Sequence, residues 1–179
     1  MPGRAMSFAS NPNTTGRSFE RYLGLDPGLN RTGYAVIERR TAGPFLMEGG
    51  VLRSKPDLPL QKRVLELAEG LQEVLTELKP ESVAIEDVFT HVQNPRTALK
   101  MAHARGAILL TLAQADIPII HYSPTQIKRL LTGSGRAPKE QIQRAVTAEL
   151  KLPCIPEPND VADASAIALC LYHSVRFAA

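Results

Sequence analysis

One stretch near the start of the chain combines an apolar strand, an acid and a tight turn. It covers residues 22–34 and reads YLGLDPGLNRTGY. Pro27 presets φ and Gly28 permits a positive φ, so the strand is expected to end at Asp26. Residues 32–37 predict a second strand and therefore a hairpin. Asp26 then lies at the carboxyl end of a strand, where α/β sheets place ligands, although such an acid can also simply cap a turn.

The remaining segments alternate between strand-like and helix-like patterns. Three strands in succession predict an antiparallel meander, and helices then alternate with two further strands. This order predicts an α/β fold with a mixed five-stranded sheet and helices on both faces. The predicted strands are 21–26, 32–39, 45–53, 82–86 and a buried strand 117–122, and the predicted helices are 57–79, 95 to about 115, 125–131, 139–150 and 160–174.

Length and composition place the chain among single-domain globular proteins. The 179 residues suit one folded domain over 21–174, preceded by a disordered extension over 1–20 and followed by a short tail over 175–179. The first twenty residues lack a signal peptide's apolar core and no run approaches a membrane span, so we expect a cytoplasmic protein without a membrane partner. The two cysteines, Cys154 and Cys170, lack metal-ligand spacing, and the net charge of +3 is compatible with nucleic acid.

Four acids stand at the ends or beginnings of predicted elements. Glu86 ends the strand SVAIE as Asp26 ends the first strand, and Asp160 and Asp163 open the last helix. An i, i+3 spacing places the last two on one face of that helix. They can serve as an N-cap and a first-turn acid favoured by the helix dipole, or as ligands of a cation.

Four carboxylates gathered in one pocket repel one another and would be unstable without a divalent metal. If strands 21–26 and 82–86 are parallel neighbours, Asp26 and Glu86 converge, and the last helix can bring its acids across them. Oxygen-only ligands suit Mg²⁺ or Mn²⁺. Two such ions, about 3.5–4 Å apart, would clamp the attacking and leaving oxygens of a phosphodiester while a metal-activated water attacks.

Three motifs in this order resemble the RuvC-type Holliday-junction resolvases, which have the ribonuclease-H-like fold. They read LGLDPGxxxTGY, AIExVF and DxADAxAIA, and the resemblance covers about residues 21–174. It implies a crossover junction endodeoxyribonuclease, a DNA-recombination and repair hydrolase that nicks two opposed strands of a four-way junction as a homodimer. It also implies metal ligation by Asp26, Glu86, Asp160 and Asp163, and partnership with a RuvAB-type branch-migration complex.

The same resemblance implies a set of DNA-contacting residues. Phe89 would stack on or wedge between unstacked bases at the crossover, whereas without the resemblance a core phenylalanine is the simpler interpretation. Basic side chains flank the acids and would neutralise phosphates, or they are solvated surface groups. Lys128 and Lys139 match basic positions that the family places near its DNA, and Lys139 could stabilise developing charge. The basic candidates are Arg96, Lys100, Lys128, Arg136 and Lys139.

Several alternatives stay open at this point. A sugar-kinase or actin-like ATPase opens with a similar strand and turn, but it needs a second lobe, for which 179 residues are too few. A non-catalytic junction-binding module would not need four metal-suited acids. A same-fold nuclease acting on another nucleic acid, such as an RNA–DNA hybrid, would use the same acids. The four histidines are expected to be packing or surface groups, and Gly133, Ser134 and Gly135 allow either a phosphate approach or simple flexibility.

Overall fold

A five-stranded sheet carries five helices, and this confirms the predicted architecture. The computed structural model describes residues 20–87 and 95–178, with side chains up to residue 175. The strands are β1 (Arg21–Asp26), β2 (Arg31–Arg40), β3 (Gly43–Arg53), β4 (Ser82–Glu86) and β5 (Ile119–Tyr122). The helices are α1 (Leu60–Leu78), α2 (Pro95–Gln114), α3 (Pro124–Thr132), α4 (Lys139–Glu149) and α5 (Asn159–Ala178). No helix within the described ranges is long and apolar enough to cross a membrane.

The strand order is β3-β2-β1-β4-β5, with β1 and β4 at the centre. The meander β1 to β3 is antiparallel, whereas β4 pairs in parallel with both β1 and β5. Leu25 pairs with Ile85, so the residues that follow them, Asp26 and Glu86, end neighbouring strands at the same edge. The predicted parallel adjacency of these two strands is therefore confirmed.

Alternating side chains build one hydrophobic core on each face of the sheet. Leu23, Leu25 and Val36 pack with α1 and α2 on one face. Tyr22 and Ile37 pack with α3, α4 and α5 on the other. Because successive strand residues point to opposite faces, Asp26 shares the α5 face with Tyr22. By the same two-residue period, Glu86 and Arg31 also face the α5 side.

Helix α5 lies unusually close to the sheet because glycines in the strands leave room for its backbone. A Cβ built on Gly24 in β1 would lie 2.5 Å from the backbone nitrogen of Ala168. A Cβ on Gly33 in β2 would lie 2.9 Å from the carbonyl carbon of Asp160. Both distances are shorter than real side chains tolerate, so only glycine permits this approach. The two glycines thereby bring the first turn of α5 against the end of β1.

Several predicted element bounds differ from those of the structure, and four of the differences are instructive. The segment expected as a buried strand over 117–122 is a four-residue strand at the edge of the sheet, paired with β4, and its Ile120 is exposed. Helix α1 begins at Leu60 after Pro59 instead of at residue 57. A capping box on Ser123 starts α3 one residue earlier than predicted. Helix α5 continues to residue 178, because no glycine or proline follows residue 174 to end it.

Candidate metal and nucleic-acid site

Three of the four predicted acids line one open pocket at the carboxyl ends of β1 and β4. The pocket holds about 340 Å³ and is lined by Asp26, Glu86 and Asp163 together with Lys128 and Lys139. Its apolar wall comes from α3, α4 and α5. Two strands and α5 therefore place three carboxylates around a single space, and α3 and α4 each add one ammonium group.

The two acids of α5 each hold a cation. Arg31 donates from Nη2 to Oδ2 of Asp160 at 2.5 Å, and Lys139 donates from Nζ to Oδ2 of Asp163 at 2.7 Å. Asp160 does not line the pocket, but its charge acts on Asp26 at the pocket floor. The structure thus places all four predicted acids in one electrostatic cluster and adds Arg31, which the sequence interpretation missed.

Burial and mutual repulsion raise the pKa of the two strand-end acids. Burial, followed by the charges of Glu86, Asp163 and Asp160, raises the pKa of Asp26 to about 7. Burial and Asp163 also raise the pKa of Glu86, against the opposing pull of Lys128 and Lys139. Desolvation and like charges both disfavour an ionised carboxyl group, and a nearby cation reverses this. These two carboxylates would therefore gain from a bound cation.

The carboxylate donors suit a hard divalent cation, but their side chains do not form a preorganised coordination site. Carboxylate oxygens are the ligands that Mg²⁺ and Mn²⁺ favour. Among residues 20–87 and 95–178, no group of three histidine, cysteine, aspartate or glutamate side chains is positioned to hold a metal ion. Two of the four carboxylates instead hold Arg31 and Lys139. The acids fit a metal by chemistry, and their side chains must rearrange to bind one.

A buried arginine fixes the turn that carries Arg31. Arg63 in α1 donates to Oδ1 of Asn30 at 2.5 Å and to Oγ of Ser54 at 3.1 Å. Ser54 in turn donates to the carbonyl oxygen of Leu29 at 2.5 Å. These bonds satisfy buried polar groups and hold the residues before Arg31 in place. Their long sequence separation explains why no local pattern pointed to them.

Arg105 supports the pocket from α2. It donates to the carbonyl oxygen of Glu86 at 2.6 Å and to Oδ1 of Asp87 at 2.9 Å. Its guanidinium also lies 2.7 Å from Nδ1 of His121. An arginine bound to the backbone of a strand-end residue limits how far that residue moves. Arg105 is a second residue that sequence reasoning missed.

Of the predicted DNA-contacting residues that the structure describes, only two line the pocket. Lys128 and Lys139 line the pocket, and Arg136 is exposed just before α4. Arg96 and Lys100 are exposed in the first turns of α2 and do not line it. Phe89 lies outside the described residues.

The remaining candidates have local roles. Gly133 ends α3 with φ of 76°, so this glycine caps a helix. None of the described histidines lines the pocket, and His173 bonds to Glu149 instead. Cys170 is buried, and burial raises the pKa of its thiol to about 12, whereas Cys154 is exposed.

Comparison with known proteins gives matches over nearly the whole described chain. Residues 22–171 match the family model for crossover junction endodeoxyribonuclease RuvC. A relative of that name from Rhodopirellula baltica is 51% identical over 148 residues, which is 83% of each chain. The Thermus thermophilus RuvC structure superposes with a TM-score of 0.81 at 35% identity, covering 88% of this chain and 96% of that one. T. thermophilus RuvC in complex with Holliday junction substrate gives 0.83 at 33% identity, covering 89% and 96%.

Proposed function

Because the chain belongs to the crossover junction endodeoxyribonuclease RuvC family, we propose that it resolves four-way DNA junctions through the acids at the ends of β1 and β4 and the start of α5. Its fold is the ribonuclease-H-like fold of that family. The observation that carries the proposal is the pocket in which Asp26, Glu86 and Asp163 face Lys128 and Lys139. Its reaction is the hydrolysis of a phosphodiester bond during DNA recombination and repair.

The family is metal-dependent, and the proposed ligands here are Asp26, Glu86, Asp160 and Asp163. We propose Mg²⁺ or Mn²⁺ with two ions per site, since four carboxylates exceed what one such ion usually takes from protein. Bound divalent ions supply Lewis acidity and a more acidic water for attack on phosphorus. The strand ends supply rigidity, because Asp26 and Glu86 extend from paired β-strands.

The two lysines at the pocket are the proposed phosphate ligands nearest to the reaction. Lys139 donates from Nζ to Oδ2 of Asp163 at 2.7 Å. This hydrogen bond raises the pKa of the Lys139 ammonium group and outweighs burial, which lowers it. It therefore stays charged and can stabilise negative charge that develops on a phosphate. Lys128 lines the same pocket and acts on Glu86.

A longer DNA path is proposed around this centre. Arg136 precedes α4, and Arg96 and Lys100 lie at the start of α2. On this proposal, the three residues would bind phosphates farther from the acids. Phe89 is the proposed base-stacking residue, and its proposal rests on the motif alone. Contacts with phosphates would make junction binding depend steeply on salt.

We also propose a homodimer, because a two-fold protein matches a junction that is cut in two opposed strands. Helix α2 offers a surface for it: Leu99 and Leu110 are each 60% exposed, and the small residues Ala102, Gly106 and Ala113 are exposed between and beside them. A RuvAB-type branch-migration complex is the proposed further partner, with the cytoplasm as the expected location.

The test is cleavage of a synthetic four-way junction in Mg²⁺, Mn²⁺ or EDTA. Linear duplex and an RNA–DNA hybrid serve as competing substrates. Asp163→Asn removes a proposed ligand, and Asp57→Asn is the matched control at an exposed acid outside the pocket. We expect metal-dependent paired nicks in the junction, lost in Asp163→Asn but retained in Asp57→Asn.

Other outcomes would redirect the assignment. Cleavage of the hybrid without cleavage of the junction would keep the metal site and replace the substrate. Tight junction binding without cleavage in any metal would indicate a non-catalytic binding module. Equal activity of Asp163→Asn and wild type would remove Asp163 from the proposed ligands.

A further inference from the structure

We propose that Arg31 is an exchangeable cation of this site. It pairs with Asp160 when no metal is bound, and it binds a DNA phosphate when a metal takes the Asp160 carboxylate. The inference rests on the proposed function, since it presumes that Asp160 is a metal ligand. It adds a positioning and substrate-binding role to a residue outside the acid and lysine set. The geometry of the hairpin that carries Arg31 supports it.

The ion pair connects two elements that meet only in the folded protein. Arg31 begins β2, on the sheet face that packs against α5, and Asp160 stands in the first turn of α5. Their charged atoms are 2.5 Å apart, and their side chains are 40% and 25% exposed. A hydrogen-bonded pair with this exposure is specific in geometry but weak in free energy, because solvent competes for both groups. Such a pair is easily exchanged.

The backbone of Arg31 is fixed while its side chain stays accessible. Arg63, which is 8% exposed, bonds to Oδ1 of Asn30, and Ser54 bonds to the carbonyl oxygen of Leu29. Ser54 also donates its backbone N–H to the carbonyl oxygen of Asn30 at 3.3 Å. The residues just before Arg31 are therefore clamped, so its guanidinium pivots from a constant position.

The charges of the cluster place Arg31 in competition with a metal. Lys139 occupies Asp163 and Arg31 occupies Asp160, so each α5 acid already has one cation. If Asp160 were to ligate a divalent ion, its carboxylate would give up the bond to the Arg31 guanidinium, and the two positive charges would repel each other. Removing Arg31 is therefore expected to increase metal affinity when no DNA is present.

A second arginine beside Arg31 supports a phosphate at this position. In the register of β2 and β3, Arg31 lies directly opposite Arg53, which is exposed. Like charges directly opposite in a sheet disfavour the pairing, and a shared anion relieves their repulsion. The arginine fork binds phosphate oxygens in a bidentate manner, whereas a carboxylate competes for the same fork. A DNA backbone at this end of β2 and β3 would supply that anion.

The experiment compares wild type with Arg31→Gln, Arg31→Lys and the control Arg40→Gln. Arg40 lies at the opposite end of β2 and pairs with Glu38. Mn²⁺ affinity is measured by calorimetry without DNA. Junction affinity is measured in Mn²⁺ over a salt series, with a junction whose backbone resists hydrolysis so that cleavage is excluded. Thermal melting establishes that each variant is folded, and Arg31→Lys retains the charge if the glutamine variant does not fold.

Removing the charge of Arg31 is expected to strengthen Mn²⁺ binding and to weaken junction binding. Arg31→Gln should bind Mn²⁺ about two- to fivefold more tightly, the range that corresponds to losing an exposed ion pair. With Mn²⁺ present, its junction binding should weaken, with the slope of log affinity against log salt reduced by about one. Arg31→Lys should keep wild-type Mn²⁺ affinity to within about twofold because its charge persists, and Arg40→Gln should match wild type in both measurements.

Distinct failures separate this inference from the proposed function. If wild type binds Mn²⁺ and cuts junctions while Arg31→Gln shows unchanged Mn²⁺ affinity or an unchanged salt slope, the exchange role of Arg31 is wrong and the nuclease assignment stands. If wild type neither binds Mn²⁺ nor cuts junctions, the proposed function fails and the role of Arg31 fails with it.

Discussion

Replacing Gly33 with alanine tests whether the close approach of α5 to β2 sets the position of the carboxylates. The added methyl carbon would lie 2.9 Å from the carbonyl carbon of Asp160, and closer still to its oxygen. Carbon–carbon contacts are favourable only at about 3.5–4.0 Å, so the first turn of α5 must move away by about 1 Å. Backbone cannot rotate out of the way as a side-chain end can.

The displacement should cost both stability and activity. Overpacking of this kind destabilises the folded state by about 1–3 kcal/mol. A shift of about 1 Å in catalytic groups lowers the rate by about 100-fold. Because Asp160 and Asp163 move with the turn while Asp26 stays in β1, the distance between the two halves of the site changes.

The assay is single-turnover junction cleavage, together with Mn²⁺ affinity and thermal melting. Gly70→Ala in α1 is the matched control, since its methyl group meets only the side-chain end of Leu52 at 3.3 Å. A helical Gly→Ala change gains about 0.5–1 kcal/mol, so the control should stay folded and active. Cleavage is compared at a temperature at which both variants are fully folded. Wild-type cleavage and wild-type melting by Gly33→Ala would refute the view that this contact positions the acids.

Three further predictions concern charge, support and assembly. The pKa of Asp26 is raised to about 7, so Asp26 keeps its proton in the folded protein between about pH 4 and 7, where the unfolded chain has lost it. The free energy of unfolding measured in EDTA should therefore fall as pH rises through that window. Asp26→Asn should flatten this dependence in melting curves. Arg105→Gln, which loses bonds to Glu86 and Asp87, should cost about 1–3 kcal/mol in chemical denaturation and slow junction cleavage, and unchanged values of both would contradict a supporting role. If the proposed homodimer forms through α2, Leu110→Asp should convert it to a monomer in analytical ultracentrifugation, while a wild-type sedimentation profile would exclude this face of α2 as the interface.

Local patterns predicted the strand-end acids well because each rests on a short-range cause. An apolar run followed at once by Pro27 and Gly28 has to end at Asp26, and β1 does end there. The run of apolar residues before Glu86 predicted β4 in the same way, with the same bounds. The order of strands and helices along the chain was enough to predict the mixed sheet.

Edges and helix ends were predicted less accurately, because they depend on what covers a segment. The residues of β5 are as apolar as those of a central strand, yet Ile120 is exposed because β5 lies at the edge of the sheet. Sequence composition does not distinguish a covered strand from an uncovered one. The role of the strand glycines was equally invisible, since it depends on a helix more than a hundred residues away.

By itself, the sequence determined the family to which the chain belongs and its sheet architecture. It also predicted which residues carry the chemistry, namely the acids at the strand ends and at the helix start. Only the tertiary structure decided how those residues meet. Arg31 and Asp160 are 129 positions apart and join because Gly33 admits α5 against β2. Motifs report local backbone constraints, whereas an ion pair across a sheet is set by packing, and packing is a property of the whole fold.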